Sequence, residues 1–414
     1  MNRLQNMQEQ LSLNEAGAAD KLFAKHADDV VIIAAHRTAI TKAKKGGFRN
    51  TTSGEILARL LRAQIDKVGI DPKIIDSLVV GNVCNPGAGV NEHRAAQLVA
   101  GIPHTTPFMA INRQCSSGLM AVNTIYNEIK SGQIDIGIGA GVESMSTQYG
   151  SNMMDGFPAR FSSDAAGQKC LIPMGITSEN VASEFGVSRP DQDAFAAASY
   201  NKAEKAQAAG LFKEEILPIY GIIEDDEGNE TDQLVSEDDG IRKGVTPESL
   251  SKIRAAFKED GTTTAGNSSQ VSDGAGSVIL ARRSVAQKLG LPIIGKFVHC
   301  RTLGVPPEVM GIGPAVAIPA VLKDLGLTVD DVDVFEINEA FASQALYSVR
   351  KAGIDINKVN PKGGAIAFGH PLGATGARQV STLLTELHRT NKKVGVTSMC
   401  IGTGMGAASV IVAE

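Results

Sequence analysis

The chain predicts an α/β fold made of two similar strand–helix halves with a segment inserted between them. Three observations carry this expectation. Short continuous apolar runs, such as Val30-Val31-Ile32-Ile33-Ala34-Ala35, have the composition of strands covered on both faces. Between them lie stretches with apolar residues at helical spacing, closed by glycine. The alternation runs through residues 29–150 and again through 291–414, and it lapses over 151–272. Residues from about 273 to 290 are expected to return to the first half, and residues 1–28 read as a terminal segment and polar linker.

The first strand is expected from Val30. Ile56, Leu57, Leu60, Leu61, Ile65 and Val68 then mark one helical face over residues 53–68, and Gly69 supplies the stop. Leu78-Val79-Val80 and Phe108-Met109-Ala110-Ile111 predict two more strands. A helix is predicted from Ser116, with Leu119, Val122, Ile125, Tyr126 and Ile129 on one face and Gly132 beyond its end. Residues 134–142 predict a buried strand interleaved with glycine. In the inserted segment, Ser188 is placed to cap a helix that stops at Gly210, with Pro190 in its first turn. Residues 224–239 are acidic and read as a solvated excursion.

The second half repeats the rhythm. Strands are expected over 292–300 and 332–337, with a helix over 316–325 between them. The apolar stretch 365–368 leads to His370, and a helix is expected from about 374 to 388. A strand over 394–399 ends at Cys400, and a last strand closes the chain over 407–412. Cys115 and His370 thereby fall at the same place in the two halves, at the start of a helix after a strand.

Bulk properties narrow the function. Apolar residues make up 43% of the chain and charged residues 21%, values typical of a soluble globular protein. The net charge of −5 offers nothing to a nucleic-acid partner. No apolar run approaches the roughly 20 residues that span a bilayer. The five cysteines form no CxxC pair, and no second histidine stands at ligand spacing from His370, so no metal centre is expected. Scattered and odd in number, they suit a reducing compartment.

Three groups point to chemistry. Cys115 lies in Asn112-Arg113-Gln114-Cys115-Ser116-Ser117-Gly118, His370 in Gly369-His370-Pro371-Leu372-Gly373, and Cys400 in Met399-Cys400-Ile401-Gly402-Thr403-Gly404. A cysteine taken alone is most often a small core residue. A thiol at a helix N-terminus, however, gains thiolate stabilisation from free N–H groups and the helix dipole. An imidazole supplies a base, and a second thiol can carry a proton. Glycines beside Cys400 offer backbone N–H donors to an oxyanion. Together these suggest acyl transfer on a thioester.

These blocks resemble the motifs of the thiolase family. Asn112 to Gly118 is similar to its nucleophile motif. Asn338-Glu339-Ala340-Phe341-Ala342, Gly369 to Arg378 and Cys400 to Gly404 resemble the other three, in the family's order, and the resemblance covers residues 29–414. It implies a layered αβαβα fold with an inserted loop domain and thiolytic cleavage of 3-oxoacyl-CoA by CoA in β-oxidation. It also implies the roles: Cys115 as acyl carrier, His370 as its base, Asn338 as holder of a water, Cys400 as proton carrier, and the N–H groups of Cys115 and Gly402 as an oxyanion hole. Arg242 and Ser269 fall where the family contacts CoA, which is a substrate; no permanently bound cofactor is implied, and a homodimer is. Arg242, Lys243, Lys252 and Arg254 also form a basic cluster suited to phosphates. Short-chain biosynthetic members carry His before Met-Gly where this chain has Pro173, which resembles the degradative members instead. The same chemistry run toward acetoacetyl-CoA, or a non-catalytic lipid-binding relative, is the alternative.

Arg3-Leu4 and Gln10-Leu11 stand seven residues apart, which on a helix gives two adjacent stripes. This opening resembles the type-2 peroxisomal targeting signal, read by a soluble import receptor, and implies the peroxisomal matrix. Arg3 is the only basic residue before Lys21, which does not suit a mitochondrial presequence.

Overall fold

The computed structural model describes residues 18–150, 157–225 and 227–414. The first half is built of β1 (Val30–Arg37), β2 (Thr41–Lys42), α1 (Ser53–Val68), β3 (Ser77–Gly81), α2 (Val90–Val99), β4 (Phe108–Ile111), α3 (Ser117–Lys130) and β5 (Ile136–Ser144). Two helices, α4 (Met174–Glu184) and α5 (Arg189–Ala208), and a hairpin, β6 (Ile219–Glu224) with β7 (Glu230–Val235), follow. The chain then returns through β8 (Ser272–Arg282), which lies antiparallel between β1 and β5. The second half comprises β9 (Gly295–Gly304), α6 (Gly313–Leu325), β10 (Val334–Ile337), α7 (Ala342–Ala352), α8 (Thr375–Arg389), β11 (Val394–Ile401) and β12 (Met405–Ala413).

The two halves share one topology. In the first, the strand order is β1-β8-β5-β3-β4, with β5, β3 and β4 parallel. In the second it is β9-β12-β11-β10, with β11 and β10 parallel, and a single parallel bridge from Phe335 to Val359 stands where β4 stands in the first. Helix α8 therefore corresponds to α3. Two residue pairs, Val31–Lys296 and Ile32–Gly295, join the halves along β1 and β9.

Alternation along the strands sets the layers. Val30 and Ile32 of β1, with Val278 and Leu280 of β8, pack in one cluster with α3, α8 and the Met399, Ile401, Ala407 and Ile411 side chains of the other half. Val31 and Ile33, with Ile279, face the opposite way onto α1. Phe335, Ile337, Val396 and Val410 carry the outer face of the second half against α6 and α7. The order is thus helix, strand, helix, strand, helix, with α3 and α8 in the middle. A strand buried on both faces must be apolar throughout, which is why these strands read as continuous runs.

Helices α3 and α8 meet through glycine. A Cβ on Gly118 would lie 2.6 Å from the Gly373 carbonyl oxygen, and one on Gly376 would collide with the backbone N of Leu119. At such a crossing only glycine lets two backbones approach.

Several local signals act as expected. Thr52 and Glu55 form a capping box on α1, and Gly69 ends it at φ 72°. Ser188 caps α5, accepting from Asp191 N–H. Other expectations need correction. The stretch 365–368 is a single helical turn between Gly364 and Gly369, so His370 does not follow a strand. Residues 224–239 are not wholly solvated: they include β7, and Asp238 is buried, binding both Nη atoms of Arg37 at 2.7 and 2.9 Å. A buried arginine needs such a partner, and the acidity of the segment is partly that requirement.

Candidate active site

Cys115 sits in the turn between β4 and α3. Ser117 Oγ accepts from Arg113 N–H at 2.9 Å and donates to Gln114 O at 2.7 Å, and Gln114 takes φ 48°. This tight turn presents the thiol to a cavity of about 360 Å³. The backbone N–H groups of Gly402 and of Cys115 itself are directed at the sulfur and favour its thiolate. Burial outweighs them, with the Glu143 carboxyl adding to it, and the thiol pKa is pushed up to about 11. The start of α3 therefore offers Cys115 an N–H donor but does not leave it a thiolate at rest. Desolvation of the charged form is the larger effect.

His370 lines the same cavity, and its own N–H donates to Gln270 O at 3.0 Å. Burial and the nearby Arg378 guanidinium lower its pKa to about 3. Its tautomer follows from its neighbours. Nδ1 is 2.6 Å from Thr375 Oγ1, whose hydroxyl has the Pro371 carbonyl as acceptor at 3.3 Å. Nδ1 therefore carries the proton. Nε2 keeps its lone pair and accepts from Asn338 Nδ2 at 3.3 Å. The imidazole is thus neutral, with an unprotonated Nε2 that accepts a long bond from Asn338.

Asn338 follows β10, where its N–H donates to Ser398 O at 2.8 Å. Its Oδ1 is buried without a protein donor. Cys400, fully buried in β11, packs with Met310, Ala340 and Phe341. Those three line the cavity, so Cys400 lies one layer behind its wall. Burial raises its pKa, with the charge of Cys115 as a second cause. The Gly402 turn lies against Gln114. Ser269 is on the cavity wall, its N–H donating to Ala340 O at 2.9 Å.

Arg242 is not on that wall. It is exposed, with its guanidinium carbon 6.0 Å from the Tyr200 ring centroid. Its segment still borders the cavity, since Gln270, a lining residue, donates from Nε2 to Gly240 O at 3.0 Å. Lys243, Lys252 and Arg254 are exposed as well. The remaining wall is largely apolar: Met145, Tyr149, Pro173, Met174 and Phe257 contribute.

Sequence reasoning missed Thr375, Glu143 and Glu339. Glu339 accepts from Ser199 Oγ (2.6 Å), Asn360 Nδ2 (2.7 Å) and Ile366 N–H (3.3 Å), fixing the turn before His370. The available signal was a carboxylate at the end of a buried apolar strand, which must find donors. Among the described residues, no group of three His, Cys, Asp or Glu is placed to hold a metal, and no helix is long and apolar enough to cross a membrane.

Residues 30–284 match the family description "Thiolase, N-terminal domain", and 291–413 match "Thiolase, C-terminal domain". The chain is 65% identical to the peroxisomal 3-ketoacyl-CoA thiolase of Yarrowia lipolytica, over the full length of both. It is 53% identical to that of Saccharomyces cerevisiae, covering 100% of this chain and 99% of the relative. A crystal structure of the dimeric peroxisomal thiolase of Saccharomyces cerevisiae superposes with a TM-score of 0.89 at 54% identity, over 95% of this chain and all of that one. Human mitochondrial 3-ketoacyl-CoA thiolase superposes with a TM-score of 0.83 at 35% identity, over 94% of this chain and 99% of the other.

Proposed function

The chain belongs to the thiolase family, and from that membership we propose that it is a peroxisomal 3-ketoacyl-CoA thiolase, cleaving 3-oxoacyl-CoA with CoA to acetyl-CoA and an acyl-CoA two carbons shorter. The observation that carries the proposal is a neutral thiol and a neutral imidazole with an unprotonated Nε2 on one cavity, with the backbone N–H groups of Cys115 and Gly402 at the sulfur.

The steps follow from these groups. As Cys115 Sγ attacks the 3-keto carbon, its proton passes to His370 Nε2, and the N–H groups of Cys115 and Gly402 take the developing oxyanion. The C2–C3 bond breaks, leaving an acyl-Cys115 thioester and the enolate of acetyl-CoA. His370 and a water held by Asn338 stabilise the enolate oxygen, and Cys400 gives its proton to C2. Cys400 then takes the proton of incoming CoA, whose sulfur attacks the acyl group. The Cys115 sulfur leaves and recovers its proton from His370. Neutral resting groups suit this sequence, because charge is needed only while bonds are changing.

Pro173, Met174 and Phe257 on the wall favour a broad-chain acyl substrate over acetoacetyl-CoA alone. Ser269 on the wall and Arg242 beside it are assigned to CoA, residues 151–272 to a domain covering the substrate, and the oligomer to a homodimer. Arg3, Leu4, Gln10 and Leu11 lie outside the described residues, and we assign them to the import receptor. Thiolysis across 3-oxoacyl chain lengths, with Cys115→Ser as control, tests the activity. Turnover confined to acetoacetyl-CoA would exclude the broad-chain reading. For targeting, Arg3→Glu should leave thiolysis intact and the protein in the cytosol; continued import would refute that assignment.

A further inference from the structure

Glu143 ends β5 and is fully buried, behind the cavity rather than on its wall. Each carboxylate oxygen accepts two N–H donors. Oε1 takes Cys84 N–H and Asn82 Nδ2, both at 3.0 Å. Oε2 takes Val83 N–H at 3.0 Å and Gly373 N–H at 2.9 Å. The Cys84 thiol is a further donor. Burial pulls the carboxyl pKa upward. The N–H donors of Gly373, Cys84 and Val83 oppose that shift without overcoming it, and they hold the carboxyl group in place.

The donors come from two turns that matter to the site. Residues 82–84 support the nucleophile turn: Asn82 N–H donates to Ile111 O at 3.1 Å, and Asn112 Nδ2 donates to Val83 O at 3.2 Å. Gly373 belongs to the turn after His370, and a Cβ there would lie 2.7 Å from Asn82 Cα. One carboxylate thus bridges the turn that holds the thiol and the turn that holds its base. We propose that Glu143 is a positioning residue that sets the Cys115–His370 geometry by clamping these two turns together. This rests on the thiolytic reading of the site.

The titratable groups around Cys115 are Glu143, Cys84, Cys400, Tyr149 and His370. Glu143→Gln keeps the shape but sets an amide N–H against donors on one side. The expected result is a fall in kcat of about 100-fold with KM changed less than about threefold, the scale of a misplaced reacting pair. Glu143→Asp, which keeps the carboxyl group and loses reach, should also lower kcat with KM little changed. Wild-type kcat in Glu143→Gln, or a rise in KM that accounts for the lost activity, overturns the inference. If that variant does not fold, Asn82→Ala carries the test. Loss of one Oε1 donor should lower kcat about tenfold, and an unchanged kcat overturns the inference. Absence of thiolysis by the wild-type protein would instead refute the reading of the site.

Discussion

The nucleophile turn and the histidine turn occupy the same place in two halves of one topology, yet they are built differently. In the first half, residues 112–116 lead directly from β4 into α3. In the second, the matching strand is reduced to the bridge at Val359, and residues 360–374 intervene before α8. The short turn is fixed mainly within itself, by its own backbone and Ser117, with one outside bond from Asn112 Nδ2 to Val83 O. The long one is fixed from outside, by Glu339, Gln270 and Glu143. Repetition of the frame brings two helix starts face to face, while the unequal turns decide which carries the Cys115 thiol and which the His370 imidazole.

The largest expected effect separates the two turns by role. Cys115→Ala removes the proposed acyl carrier and should lower turnover about a million-fold, the scale seen when a nucleophile is deleted. Intact-mass measurement after mixing with 3-oxoacyl-CoA should show an acyl adduct on the wild type and none on the variant. An adduct that persists would move the nucleophile elsewhere. Next comes the contact that holds the turns opposite each other. Gly376→Ala places a methyl group against the Leu119 backbone and should cost about 3 kcal/mol, near the upper end for overpacking. A urea titration with an unchanged midpoint would mean that α3 and α8 do not need this approach.

A smaller effect probes how the histidine turn is tuned. Thr375→Val keeps the volume but leaves Nδ1–H without its acceptor. The tautomer is then no longer fixed, and kcat should fall about 10-fold, at the low end for groups that orient a working imidazole. In the Cys115 turn Ser116 Oγ donates to Arg113 O at 2.9 Å, a bond to backbone rather than to the reacting group, so the same assay on Ser116→Ala should give a lesser drop. Equal losses would erase the contrast between the turns.

Most of the frame was legible because its strands are covered on both faces and its helices stop at glycine. Val30 to Ala35 cannot avoid reading as buried strand, and Gly69 stops α1 as expected. Cys115, His370 and Cys400 stood out because reactive groups in small-residue turns are unusual. What was hidden is non-local. Residues 365–368 look like a strand to any pattern that counts apolar residues, and contacts from Glu339 and Gln270 hold them as a helical turn. Asp238 looked solvated because its partner, Arg37, is some two hundred residues away. Thr375 and Glu143 act through atoms brought together only by the completed fold.

The smallest effect, and the finest test of the comparison, is in pH. Each turn holds its group uncharged, the thiol pushed up to about 11 and the imidazole down to about 3. A thiolate–imidazolium pair would produce an alkylation plateau on the acid side of neutrality. Here Cys115 alkylation should instead rise steadily with pH toward about 11, with no plateau below pH 7. Stability carries the complementary sign. Below an unfolded value of 6.5, the unfolded chain binds a proton at His370 that the folded one refuses. The contribution of a neutral buried His370 is therefore complete above pH 6.5 and drains as pH falls toward about 3. Replacing His370 by Gln should flatten the stability–pH curve over that interval. An unflattened curve, or an alkylation plateau near neutrality, would mean that the two turns share a charge pair rather than holding two neutral groups apart.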